Sequence, residues 1–222
     1  FPQLVQELAP WIMALGVLNI IYGALVATKQ IDMKKVIAYS SVSHMGFVLL
    51  GLGALNAAGI GGAIFQLVSH GLITAMLFLG VGIVYDHTHT REVPKLGGLA
   101  ARMPLAAFLF AVASLASLGL PGMSGFLAEF MTFLGAFSAA PLWTLLAASG
   151  IIVTAFYMLW LIQRVYFQEA RPQWAEVTDC TPREALPMAI LAVLVVLFGC
   201  YPTLLTSTTN PFVMSFLSRP GL

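Results

Sequence analysis

Glu129 is the one acidic side chain of this 222-residue sequence that falls inside an apolar stretch. The others, Glu7, Asp32, Asp86, Glu92, Glu169, Glu176, Asp179 and Glu184, fall in loops or at helix ends. A carboxyl held at bilayer depth can take up and release a proton, and an ionisable group there is a functional site by default. A structural hydrogen bond is the competing reading. His44 lies eight residues into one apolar run, roughly 12 Å from its basic end. His70 lies about fourteen residues from the basic end of the next run, roughly 21 Å away. Histidine changes charge near physiological pH, which suits a proton relay. A single buried histidine is more often a satisfied packing residue, but two of them beside a buried glutamate favour the relay. Their depths differ by about 9 Å. The two rings are therefore not expected to touch, and water or a hydroxyl from Ser40, Ser41, Ser43 or Ser69 is expected to bridge them.

The remaining candidates are weaker. Lys34 and Lys35 stand at the entrance of the run that carries His44. Topology anchoring accounts for them, and proton entry is the alternative. Lys29 and Asp32 are spaced to pair. His87 and His89 are too few for a metal site. Cys180 and Cys200 form no CxxC pair and read as packing residues. No GxGxxG, P-loop or Ser-His-Asp arrangement occurs, so no nicotinamide, flavin, iron–sulfur cluster or metal is expected in this chain. A net charge of +1 gives no reason to expect nucleic acid.

The elements that must position these groups follow from composition. The chain is 59% apolar and 9% charged, against about 25% charged in a soluble domain. That predicts an all-α, multi-pass transmembrane bundle forming a single membrane domain over residues 1–222, with the lipid bilayer as its solvent. Apolar runs long enough to cross are expected at 10–28, 36–56, 61–85, 141–163 and 185–206. The stretch 104–137 is too long for one straight span and short for two. Pro121 and Gly122 predict a break near 120–125. If this stretch crosses once, nine of the ten basic residues share one side, which the positive-inside rule makes cytoplasmic, and only Arg219 is opposite. Six spans are therefore expected, the fourth a broken helix of the kind that lines cavities in transporters. Residues 1–9 and the tail from Ser207 then lie on the outer face, and 168–184 forms a cytoplasmic loop. The chain begins with Phe1 behind no basic leader, so no signal peptide is expected and it reads as part of a longer polypeptide.

Three stretches carry a resemblance. DMKKVIAYSSVSHMGF (32–47), QLVSHGL (66–72) and LGLPGMSGFLAEF (118–130) resemble the antiporter-like membrane subunits of respiratory complex I, in order from about Gly16 to Pro202. Glutamate at position 129 is similar to the M-type subunits, whereas the L- and N-type subunits and Mrp antiporter chains usually place lysine there. Lys34-Lys35 stands where the family usually has Lys-Arg. The resemblance implies two inverted five-helix repeats, of which this chain would hold the second plus one further helix. The first repeat, with its glutamate–lysine pair, would lie outside this sequence. It also implies a proton-translocating subunit of an NADH:quinone oxidoreductase in a bacterial inner membrane, beside L-, N- and K-type neighbours. Glu129, His44 and His70 would lie on its mid-membrane hydrophilic axis, Glu129 nearest the outer half-channel. NADH, FMN, iron–sulfur clusters and quinone would belong to partner subunits. An Mrp-type sodium/proton antiporter subunit is the alternative.

Overall fold

A computed structural model describes residues 2–218 and is all helical, apart from short loops and single 3-10 turns. Arg219 lies outside the described residues, so its expected place on the outer face is not addressed. The helices are α1 (Pro2–Thr28), α2 (Met33–Gly53), α3 (Ala57–Thr88), α4 (Pro104–Ser117), α5 (Ser124–Ala139), α6 (Pro141–Tyr166), α7 (Pro182–Cys200) and α8 (Thr203–Leu217). α1, α2, α3, α6 and α7 are each long and apolar enough to cross a membrane. α4 and α5 are shorter and equally apolar. The chain is thus a polytopic transmembrane bundle with one interrupted helix.

Local chemistry sets the helix ends, and it moves several of the expected boundaries. Asp32 accepts hydrogen bonds from the backbone N–H of Lys34 (2.8 Å) and Lys35 (3.4 Å), so α2 starts at Met33 rather than Val36. Asn56 caps α3 by accepting from Gly59 N–H at 2.8 Å. Glu184 reaches back to the N–H and hydroxyl of Thr181, both at 2.7 Å, and opens α7 three residues earlier than Ala185. Pro104, Pro141 and Pro182 occupy first-turn positions, where a missing N–H costs nothing. α1 begins at Pro2 and runs through Pro10, which was expected to start it. The last span does not continue to Thr206. It ends at Cys200, and after Tyr201-Pro202 the tail forms α8.

The interrupted pair lies along α3 in one direction. Phe110 packs at Gly80, Ser124 Oγ is 2.8 Å from Ser69 Oγ, Thr132 packs at Gly62 and Gly135 at Gly59. As α3 is followed backwards from 80 to 59, its partner advances from 110 to 135. α5 therefore continues α4 and does not fold back on it.

The loops bearing basic residues meet at one end of the bundle. Met33 N–H donates to Arg91 O (3.0 Å) and Val93 N–H to Ile31 O (2.8 Å). The Gln173 and Trp174 side chains both donate to Lys95 O. His87 Nε2 is 3.5 Å from Glu184 Oε1. Asp179 accepts from the N–H groups of Leu105 (2.8 Å) and Ala106 (3.2 Å), capping α4 from across the chain. Asp32 pairs with Arg91 at 3.6 Å and not with Lys29, because the returning loop brings the guanidinium to the α2 cap.

Candidate proton-transfer site

The break between α4 and α5 is made by two glycines in the left-handed region, Gly119 (φ 76°) and Gly122 (φ 91°), around Leu120-Pro121. A side chain at either is strained. Their surroundings differ. A Cβ on Gly119 would lie 3.2 Å from Glu129 Oε2, whereas one on Gly122 would meet nothing within 4 Å. The unwound backbone therefore lies against the Glu129 carboxylate, which sits on the second turn of α5 and is 7% exposed.

His44 comes to this carboxylate from α2. Its Nδ1 is 3.3 Å from Glu129 Oε1, and its Nε2 is 3.0 Å from the hydroxyl of Ser117, the last residue of α4. The imidazole thus spans the break, touching one residue on each side. The His70 ring centroid lies 5.4 Å from that of His44, the planes tilted by 39°. Its hydrogen-bond partner is Thr74 Oγ1, one turn along α3, at 3.1 Å. His44, His70 and Glu129 are therefore one cluster.

The expected 9 Å separation of the two histidines is wrong, and the reason is axial offset. α3 runs past the start of α2. Lys34, in the first turn of α2, shares a groove with Phe78, Val81, Gly82 and Tyr85 of α3. With the two rings side by side, His44 eleven residues from Met33 and His70 eighteen from Thr88, α3 extends about 10 Å beyond the start of α2 before the chain doubles back to pair Glu92 with Asp32. Depths counted from each helix's own end do not share an origin.

The serines expected to bridge the rings do not do so. Ser40 and Ser41 donate to Ile37 O, Ser43 donates to Ile20 O, and Ser69 faces Ser124. Lys34 and Lys35 stay at the basic end, away from the cluster. Lys34 lines the groove with Tyr85 and Arg91. Sequence reasoning missed Ser117 and Gln66. Ser117 immediately precedes the break. Gln66 precedes His70 by four residues, a spacing that puts both on one face of a helix, and an amide in an apolar run was the available signal. Beyond the cluster, the buried hydroxyl of Thr132 makes no hydrogen bond, and that of Tyr157 lies beside Ser40 and Thr154. Among the described residues no group of three or more His, Cys, Asp and Glu is arranged to hold a metal.

The site is thus a buried carboxylate after a broken helix, met by a histidine from a packed neighbour inside an all-α membrane bundle, and the fold that holds it is the antiporter-like one of the proteins this chain matches. Residues 1–156 match the family described as NADH:quinone oxidoreductase/Mrp antiporter, transmembrane. The chain belongs to that family. It is 45% identical over 214 residues to NADH-quinone oxidoreductase subunit M of Rhodobacter capsulatus, covering 96% of this chain and 42% of the relative. It is 43% identical over 221 residues to NAD(P)H-quinone oxidoreductase chain 4 of Gloeobacter violaceus, covering 95% and 42%. Respiratory complex I from Thermus thermophilus contains a chain of similar structure, with TM-score 0.90 and 34% identity over 96% of this chain and 45% of that one. A chain of the Mrp complex from Dietzia has TM-score 0.87 at 20% identity, covering 97% and 48%, which is a likeness of fold alone. The chain spans less than half the length of the curated relatives it matches.

Proposed function

We propose that this chain forms part of an M-type, proton-translocating membrane subunit of an NADH:quinone oxidoreductase. NADH, FMN, iron–sulfur clusters and quinone would act in partner subunits, and L-, N- and K-type subunits would be its membrane neighbours in a bacterial inner membrane. The observation that carries this reading is the contact of His44 with Glu129 across the helix break. A proton moving between imidazole and carboxylate changes both charges at once, and an unwound segment beside the carboxylate is a place where a small displacement alters their separation. One tenfold change in proton affinity corresponds to about 1.4 kcal/mol, a modest demand on such a contact. His70 delivers protons to the pair, Glu129 stores and releases them, and Lys34 and Lys35 lie at the entry side.

The meeting of the basic loops at one end supports a cytoplasmic location for that end, with α4 and α5 forming a single interrupted crossing. The two relatives at 45% and 43% identity are subunit M and chain 4 of quinone oxidoreductases, whereas the Mrp likeness is one of fold, so the antiporter reading is the weaker one.

The test is Glu129→Gln in the full-length subunit, within the assembled enzyme reconstituted into vesicles. Most proton pumping and much coupled turnover should be lost with assembly intact. Full pumping would overturn the proposal. Purification of the native subunit without flavin and iron–sulfur partners would favour the antiporter reading instead.

A further inference from the structure

A small cavity of about 10 Å³ lies within the cluster, its polar lining made by His44, Gln66, His70, Ser117 and Glu129. That is the room one water needs. Both ring nitrogens of His44 are already engaged, one with Ser117 and one with Glu129. Thr74 offers one hydroxyl to His70 and can serve only one of its two ring nitrogens at a time. Although the two rings lie 5.4 Å apart, His44 thus has no nitrogen free to receive a proton from His70 directly. Gln66 is 2% exposed, and its Oε1 is buried with no hydrogen-bond partner. It lies one turn before His70 on the same face of α3. A buried amide oxygen without a partner costs about 1–3 kcal/mol unless something donates to it.

We propose that Gln66 is a positioning residue that holds a single water between His70 and Glu129, so that protons pass from His70 to the carboxylate through that water. This rests on the proton-transfer reading above. The water donates one hydrogen to Gln66 Oε1 and the other to Glu129, and it accepts from the free N–H of His70. These three bonds are what a buried water ordinarily makes. In the transfer, the N–H bond of the His70 imidazolium breaks as a new O–H bond forms on the water. The water's O–H bond towards Glu129 breaks as the carboxylate becomes a carboxylic acid. His70 ends neutral, Glu129 ends neutral and the water is regenerated. Gln66 neither gains nor loses a proton. Its amide fixes which hydrogen points at the carboxylate.

The experiment uses the full-length subunit in the assembled enzyme, in vesicles, with proton uptake measured per assembled complex. Gln66→Met keeps the length of the side chain and removes the amide oxygen. Gln66→Asn keeps the amide and leaves room for one more water. The Met variant should pump about tenfold more slowly, the rate equivalent of one lost hydrogen bond, while the amount of assembled enzyme stays at the parent level. The Asn variant should recover most of that loss. A Met variant as fast as the parent would overturn the proposal. So would equal slowing of both variants, or failure of both to assemble, because either outcome makes Gln66 a packing residue. Glu129→Gln in the same series separates the two claims. If it pumps normally the underlying reading fails, whereas if it alone is slow the reading stands and the role of Gln66 falls.

Discussion

His44 Nδ1 stands 3.3 Å from Glu129 Oε1, and both side chains are almost fully enclosed by protein. The carboxylate is anchored on α5 just beyond the break, while the imidazole is anchored on α2 and also holds Ser117 at the end of α4. Two opposite unit charges 4 Å apart attract by about 4 kcal/mol at an effective dielectric constant of 20. A small change in how the two halves of the broken helix sit therefore has a large lever on where the proton resides.

The first prediction is that these two residues act as a unit. His44→Ala leaves a buried carboxylate without its partner and should destabilise the subunit by about 3 kcal/mol. Adding Glu129→Gln to that variant should cost much less than it costs the parent. Thermal dissociation of the purified enzyme, run as a double-mutant cycle, reads this directly. Additive effects would show that the contact carries no coupling.

The second concerns the break. Gly119→Ala and Gly122→Ala each place a side chain in the left-handed region, at a strain of about 1–2 kcal/mol. Only the methyl at 119 also meets Glu129 Oε2. Both variants should be less stable, but Gly119→Ala should slow proton pumping per assembled complex much more than Gly122→Ala. Equal pumping rates would mean that the backbone at 119 does not set the carboxylate's position.

The third concerns the basic end. Partial burial pushes the Asp179 carboxyl upward. The N–H groups of Leu105, Ala106 and Cys180 outweigh it and hold the group below the usual aspartate range. A group depressed in the folded state stabilises the fold above its unfolded value and loses that contribution as pH falls through the folded one. Asp179→Ala should therefore lower stability by about 1 kcal/mol at neutral pH, as loss of a helix cap does. The difference should vanish as pH drops well below about 3.9. Thermal melts of parent and variant across that range check the sign.

A fourth prediction is topological. Gln173 donates to Lys95 O, so the loop after α6 and the loop after α3 occupy the same end. A cysteine at 173 should label from the cytoplasmic side in intact cells. Labelling from the outside would mean that the whole bundle is inverted, with the loops after α3 and α6 both outside, and would reverse the direction assigned to Glu129.

Much of this arrangement was legible in the residues alone. Long apolar runs report helices because lipid leaves the backbone no partner except itself. The break near Pro121 followed from a proline and glycines in an apolar stretch, and Glu129 was conspicuous as an acid among Phe, Leu and Ala. Boundaries were less legible. The beginnings of α2 and α7 depend on single side chains, Asp32 and Glu184, that cap them, and the start of α1 lies beyond a proline the helix absorbs.

The acid first picked out for its type became one member of a constellation only in three dimensions. Its identity, its place after a break and the presence of two histidines at depth were properties of the sequence by itself. That His44 touches it, that the histidine rings lie 5.4 Å apart and that Ser117 and Gln66 complete the group were decided by the tertiary structure. The physical reason is that composition tells how deep a residue lies in its own helix. How far one helix slides along another is set by the bridge pairing Asp32 with Glu92 and by packing along α3, which no single run of residues records.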